Sequence, residues 1–145
     1  MTIKAPDVAR ILGGQATLRR RVRSVEDLRE VVEAGLPIES LEHAVRRVTT
    51  SPGEAAELTH RLIPRSTLKR IKTRLNAQQS ERLERLARMT ALAEEVWEDR
   101  EAAHEFLTSP QPQLGSHRPV DLARSDLGTR QVEQLLSRLE YSLPA

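Results

Sequence analysis

The chain has 145 residues, enough for one core or one core with a small appendage, and a formal charge of only +2 from 23 basic and 21 acidic side chains. It has no cysteine and one each of Trp, Tyr and Phe. That excludes disulfides and thiolate metal sites, and argues against a β-sandwich, a barrel or a base-stacking platform for single-stranded nucleic acid. No apolar run approaches the roughly 20 residues that cross a bilayer, and residues 1–7 lack the apolar core of a secretory signal. The expectation is a soluble cytoplasmic protein without a membrane partner.

Glu, Arg, Leu and Ala dominate, and these are good helix formers, so the predicted fold class is all-α. Val8 to Leu12 reads as a short helix stopped by Gly13-Gly14. The run Arg19-Arg20-Arg21-Val22-Arg23 has two readings, a solvated arm or a phosphate contact. Ser24 is an expected N-cap, with Asp27 three residues on and Leu28, Val31 and Val32 sharing one face. Gly35 ends that helix, and Pro37 helps begin a helix carrying Leu41, Ala44, Val45 and Val48. Pro52 opens another, with Ala55, Leu58 and Leu62 facing inward.

The segment from Arg61 to Arg74 holds six cations and no acid. Wound as a helix after Pro64, it places Leu68, Ile71 and Leu75 on one side. Ser66, Lys69, Arg70 and Thr73 then lie opposite, flanked by Arg65 and Lys72. A helix, a tight break at Ile63-Pro64 and a basic second helix make a helix-turn-helix, whose second element enters the DNA major groove. The predicted DNA contacts are Arg65, Ser66, Thr67, Lys69, Arg70, Lys72, Thr73 and Arg74. Arg65, Lys69 and Arg70 are the candidates for base edges or phosphates, and Ser66 and Thr67 for phosphates. Lys72 and Arg74 suit sequence-blind, salt-sensitive affinity.

A long amphipathic helix is predicted over residues 78–97. Its face of Leu83, Leu86, Ala87, Met89, Leu92, Ala93, Val96 and Trp97 is wide enough to need cover on more than one side, from later helices or from a second copy. A short helix bearing Ala102, Ala103, Phe106 and Leu107 follows and ends at Ser109-Pro110. After a Pro/Gly-bearing loop comes one turn at 120–124 and a last helix over 126–141, with Val132, Leu135, Leu136 and Leu139 on one face. Residues 1–75 hold 15 basic and 9 acidic side chains, against 8 and 12 in residues 76–145. This asymmetry suggests a polyanion partner for the first half and a protein partner for the second. The boundary is placed between residues 1–76 and 77–145.

Catalytic patterns are missing. Gly13-Gly14 is not followed by the Lys-Ser/Thr of a phosphate loop, and neither a His-Glu-x-x-His pair nor a nucleophile elbow occurs. Glu57-Leu58-Thr59-His60 and Glu101-Ala102-Ala103-His104 both have the i, i+3 spacing of carboxylate-bridged metal sites. The inward side of the first helix is set by Leu58 and Leu62, which directs Glu57 and His60 elsewhere. The expectation is a non-enzyme without metal or cofactor.

From Ile11 to Tyr141 the sequence resembles the Xre/MbcA/ParS family of antitoxins. The resemblance is carried by Leu12-Gly13-Gly14, Gly35-Leu36-Pro37, Ile63-Pro64-Arg65-Ser66-Thr67-Leu68-Lys69-Arg70 and Ser80-Glu81-Arg82-Leu83-Glu84-Arg85-Leu86-Ala87. Further on it is carried by Phe106-Leu107-Thr108-Ser109-Pro110-Gln111-Pro112-Gln113-Leu114-Gly115, Arg118-Pro119-Val120-Asp121-Leu122 and the closing Arg138-Leu139-Glu140-Tyr141-Ser142. Phe106 stands where the family commonly has tryptophan, and Ser116 and Ser142 where it has glycine. Ala123-Arg124-Ser125 replaces a more apolar run.

The resemblance implies an operator-binding helix-turn-helix and a C-terminal helical toxin-binding domain. The implied partner is a cognate toxin, commonly a RES-domain enzyme that consumes NAD. Toxin contacts are assigned to residues 114–119 and 138–145, specifically Leu114, Gly115, Arg118, Pro119, Arg138, Glu140, Tyr141 and Ser142. Glu140 and Tyr141 either enter a nucleotide-shaped pocket or, for the ring, pack the last turn. A homodimer on a palindromic operator, with half-sites about 10 bp or a multiple apart, completes the expected repressor. The alternative is a dimeric helix-turn-helix regulator with no toxin partner.

Overall fold

The computed structural model describes residues 3–142, in which every regular element is helical. Helix α1 (Ala5–Ile11) has Pro6 in its first turn, where a missing N–H does no harm, and buries Val8, Ala9 and Ile11. Gly13 turns the chain at φ 111°, and a further short helix, α2 (Gly14–Leu18), follows directly. The expected stop at Gly13-Gly14 is therefore a corner between two helices. The arginine run after it is an ordered loop: Val22 is buried, and Arg20 reaches Asp27 at 2.9 Å and Glu30 at 3.2 Å.

Helix α3 (Val25–Glu33) begins as predicted, with Ser24 Oγ accepting from the Asp27 N–H at 3.1 Å. Asp27 accepts in turn from the Arg23 N–H at 2.9 Å. Gly35 ends this helix at φ 93°, leading into α4 (Ile38–Val48). Ser51 caps α5 (Pro52–Leu62), which presents Leu58 and Leu62 to the core, and α6 (Arg65–Arg70) follows after the two-residue break Ile63-Pro64.

The central element is α7 (Ala77–Trp97), started by a reciprocal capping box between Asn76 and Gln79. Helices α1, α3, α4 and α5 pack on it. So do α8 (Arg100–Thr108) and α10 (Asp126–Ser142), joined through a 3₁₀ turn at Pro112–Leu114 and the one-turn helix α9 (Pro119–Leu122). Leu83, Leu86, Ala87, Met89, Leu92, Ala93 and Val96 are buried within the chain. Of the two readings of this wide face, cover by the chain's own helices is the one found. Burying a single leucine of this kind contributes about 1.5–3 kcal/mol, and one contiguous core cluster from Ala5 to Leu136 unites both halves.

Two side-chain bridges hold α7 in register. Arg47 on α4 donates from Nε and Nη2 to the Glu94 carboxylate at 2.8 and 2.7 Å, a bidentate pair. Ser80, fully buried, accepts from the Leu36 N–H at 2.9 Å and so satisfies a donor left over at the α3–α4 corner.

Candidate functional site

The helix-turn-helix consists of α5, the turn at Ile63-Pro64, and α6. Buried Leu62 and Ile63 anchor it, with half-buried Leu68 and Ile71 under α6. Its outer face carries Arg65, Ser66, Lys69 and Arg70, all exposed, with Thr67 half-exposed between them. Arg65 Nε donates to His60 Nε2 at 3.3 Å, which fixes the first cation relative to α5. No Asp or Glu occurs between Glu57 and Glu81. Upstream, ion pairs engage Arg20, Arg29, Arg46, Arg47 and Arg61. Among the described residues none involves Arg65, Lys69, Arg70 or Lys72. The face is thus an uncompensated patch of cations with hydroxyls interleaved, suited to phosphate oxygens and to the acceptor-rich edge of guanine.

The basic helix is shorter than its apolar spacing predicts, and this corrects the expected span from 64 to 74. Ile71 leaves the helix in an extended conformation at ψ 123°. Residues 72–75 then run alongside the α3–α4 connection, forming an isolated antiparallel bridge between Pro37 and Arg74. The Leu75 N–H donates to the Leu36 carbonyl at 2.8 Å, and the Ile38 N–H to the Thr73 carbonyl at 3.0 Å. Gly35 makes room for this, since a Cβ there would stand 2.7 Å from the Leu75 oxygen. Arg74 donates from Nη1 to the Gly35 carbonyl at 2.7 Å, an internal strap. Lys72 and Thr73 remain exposed beside α6 rather than on it.

The C-terminal candidates separate into two groups. Leu114 and Pro119 are buried and shape the loop from inside. Gly115 (φ 64°) and Ser116 (φ 63°) are both left-handed, so the serine occupies a backbone position that favours glycine. The loop is closed by the Gln111 N–H donating to the His117 carbonyl at 3.1 Å and the Ser116 N–H to the Gln111 carbonyl at 2.9 Å. Gly115, Ser116 and His117 form its exposed tip.

Arg118 is directed inward. Its guanidinium donates to Asp121 at 2.9 and 3.1 Å and to Glu57 on α5 at 3.1 Å. These bonds raise its pKa, the Asp121 hydrogen bond first, so it stays charged. Burial pushes the Asp121 carboxyl up, but Arg118 and Arg61 together overcome this and hold it below the usual carboxylate range. Arg61 Nη1 lies 3.2 Å from Asp121 Oδ1, and His104 Nε2 lies 2.7 Å from Glu54 Oε1. Three contacts therefore latch α5 to α8 and α9. They also absorb both Glu-x-x-His motifs: Glu57 serves Arg118, and His104 serves Glu54. Among the described residues no group of three or more His, Asp or Glu is arranged around a metal position.

The second group lies on the outer face of α10. Leu127, Gln134, Arg138 and Tyr141 are spaced by roughly two-turn or one-turn steps, which brings them onto one side. Tyr141 is 82% exposed and Leu127 68% exposed. The ring therefore does not pack the last turn. Leu127 is a surface candidate that the sequence pattern missed; its signal was an apolar residue outside the Val132, Leu135, Leu136 stripe. Ser142 Oγ donates to the Arg138 carbonyl at 3.0 Å. The rest of the proposed tail, Leu143 to Ala145, lies outside the described residues.

Among the described residues, no helix is long and apolar enough to cross a membrane. Comparison with known families gives two matches. Residues 27–88 match the antitoxin Xre-like helix-turn-helix domain, and residues 92–141 match the antitoxin Xre/MbcA/ParS C-terminal toxin-binding domain. The two matches meet inside α7. Comparison with curated proteins gives no match.

Proposed function

The chain belongs to the Xre-like antitoxins of type II toxin–antitoxin systems, and from that premise we propose that it neutralises a RES-domain, NAD-degrading toxin and represses its own operon. The DNA arm rests on one observation: the outer face of α6 exposes Arg65, Lys69 and Arg70, which among the described residues have no carboxylate partner, within a stretch from 58 to 80 that contains no acid. Lowering α6 into a major groove brings Arg70 and Lys69 to base edges or phosphates, with Ser66 and Thr67 donating to the backbone. Lys72 follows the strand outside the groove. A palindromic operator calls for a dimer, which forms through a surface other than α7, since the apolar face of α7 is already covered.

The toxin arm is supported by the exposed stripe Leu127, Arg138 and Tyr141 on α10 and by the loop tip at Gly115. The exposed Tyr141 offers a ring where a nucleotide would sit in the toxin. Arg118, Leu114 and Pro119 support this surface from beneath rather than touching the partner.

Two measurements test the proposal. The purified protein is expected to bind the DNA upstream of its own reading frame with an affinity that falls steeply with salt. It is also expected to co-purify with the product of the adjacent reading frame. Removing residues 140–145 is expected to abolish that capture while leaving DNA binding intact. Full capture by the shortened chain overturns the role given to the tail.

A further inference from the structure

Three guanidinium groups converge at the junction between the helix-turn-helix and the C-terminal half. Arg82 and Arg85 lie one turn apart at the start of α7, and Arg124 lies at the α9–α10 turn. They line a groove of about 460 Å³ that Leu62, Gln78 and Ser125 also border. Arg82 Nη1 donates to the Leu62 carbonyl, the end of α5, at 3.3 Å, while its Nε is buried with no partner. Arg85 is held by the Ala123 carbonyl at 2.8 Å and the Arg124 carbonyl at 3.2 Å. The Arg124 side chain is exposed and, among the described residues, makes no ion pair.

Burial, then the charges of Arg85 and Arg124, push the Arg82 guanidinium down from its usual range, with Asp121 acting the other way. The cluster therefore repels itself and is incompletely balanced by the carboxylates around it. Two carboxylates stand at its rim: Asp126, 3.5 Å from Arg130, and Glu81 on the exposed side of α7. Asp121 is nearby but already engaged by Arg118 and Arg61, so three cations face two rim anions, of which Asp126 is shared with Arg130. A small monoanion fits this arrangement.

We propose that this groove is a second DNA-backbone site, taking a phosphodiester of the same duplex whose major groove α6 enters. The phosphodiester is favoured over a protein carboxylate because the groove wall includes the last residue of α5, three residues before α6 begins. The proposal rests on the DNA-binding reading above. It places a residue of the C-terminal half, Arg124, in the DNA interface, so duplex contact extends from α6 across the junction.

The test uses full-length Arg124→Gln, whose wild-type side chain makes no hydrogen bond that folding would miss. Its affinity is measured across a salt series for the DNA upstream of its own reading frame and for a scrambled duplex. Arg70→Ala and the adjacent gene's product serve as controls. The expected result is a loss of about 3- to 10-fold on both duplexes, with the slope of log affinity against log salt reduced by about one. Wild-type affinity and slope for Arg124→Gln, with Arg70→Ala impaired, overturn the second site and leave the α6 reading standing. Unchanged DNA binding with weakened toxin capture overturns it in favour of a protein carboxylate. If wild type binds neither duplex, the DNA-binding reading itself falls, and the inference with it.

Discussion

Arg118→Ala tests whether the latch between α5 and the C-terminal half carries energy. The side chain is four-fifths buried, with two hydrogen bonds to Asp121 at 2.9 and 3.1 Å and one to Glu57 at 3.1 Å. Breaking a fully buried ion pair costs about 3–5 kcal/mol, and losing an exposed one about 0.2–1 kcal/mol. The present case lies between these limits. Asp121 retains Arg61 at 3.2 Å, and Glu57 is half exposed and retains Arg61 at 3.7 Å. A loss of about 2 kcal/mol is expected, which lowers the melting temperature by roughly 6 °C for a chain of this size.

Arg118→Lys keeps the charge but not the planar fork, so about half the loss is expected. The pH dependence gives a sharper check. The Asp121 pKa is depressed by its arginines against the effect of burial. Its contribution is therefore complete above the unfolded value of about 3.9 and fades as pH falls through the lower folded value. The gap between wild type and Arg118→Ala, followed by circular dichroism on heating, is expected to narrow below about pH 4. Equal melting temperatures at neutral pH, or a gap that does not change with pH, refute the reasoning.

Other consequences are equally direct. Arg70→Ala is expected to weaken operator binding by about 1–3 kcal/mol and relax sequence preference, whereas Lys72→Ala weakens all duplexes alike and reduces the salt slope by about one; titration against operator and scrambled DNA separates them. Burial holds the Glu84 carboxyl above its ordinary range, Arg88 and Arg85 opposing and Glu133 and Glu81 adding to it. A raised pKa favours the folded state below the unfolded value and disfavours it once pH has risen through the folded one. Glu84→Gln is thus expected to raise the melting temperature at pH 7, with the gain vanishing in acid; a gain independent of pH contradicts the burial argument. At Gly128, in the first turn of α10, helix propensity alone predicts that alanine stabilises by about 1 kcal/mol. A Cβ there would stand 2.3 Å from the Leu122 carbonyl and 2.9 Å from Ser125 Oγ. Packing is expected to win, with a net loss of about 1–3 kcal/mol in denaturant unfolding.

Where local chemistry decided the outcome, the sequence was readable. Ser24 caps α3 as its position suggests, while the caps at Ser51, Asn76 and Asp99 are found only in the structure, and Asn76 moves the start of α7 back to Ala77. Of the α10 stripe Val132, Leu135, Leu136 and Leu139, the first three are buried as the spacing indicates and Leu139 is half-buried. Local pattern failed where distant backbone intervened. The spacing of Leu68, Ile71 and Leu75 fits a helix, yet pairing with the α3–α4 connection extends residues 72–75, and Arg74 becomes a strap to Gly35. Nothing near Arg74 in sequence announces this. Likewise the resemblance assigns Arg118 to the toxin contacts, and only its approach to Glu57, 61 positions earlier, makes it a latch. The Arg82, Arg85 and Arg124 groove is non-local in the same way. The glycine pair at Gly13-Gly14 stops α1 as it reads, but the short helix α2, into which the positive φ of Gly13 turns the chain, is not legible from it.

The central claim is tested most directly by growth and cellular NAD when the adjacent reading frame is expressed alone and then together with this protein. The account predicts arrest and NAD loss with the first, and recovery of both with the second. Arrest with NAD loss that persists when the two are expressed together contradicts neutralisation.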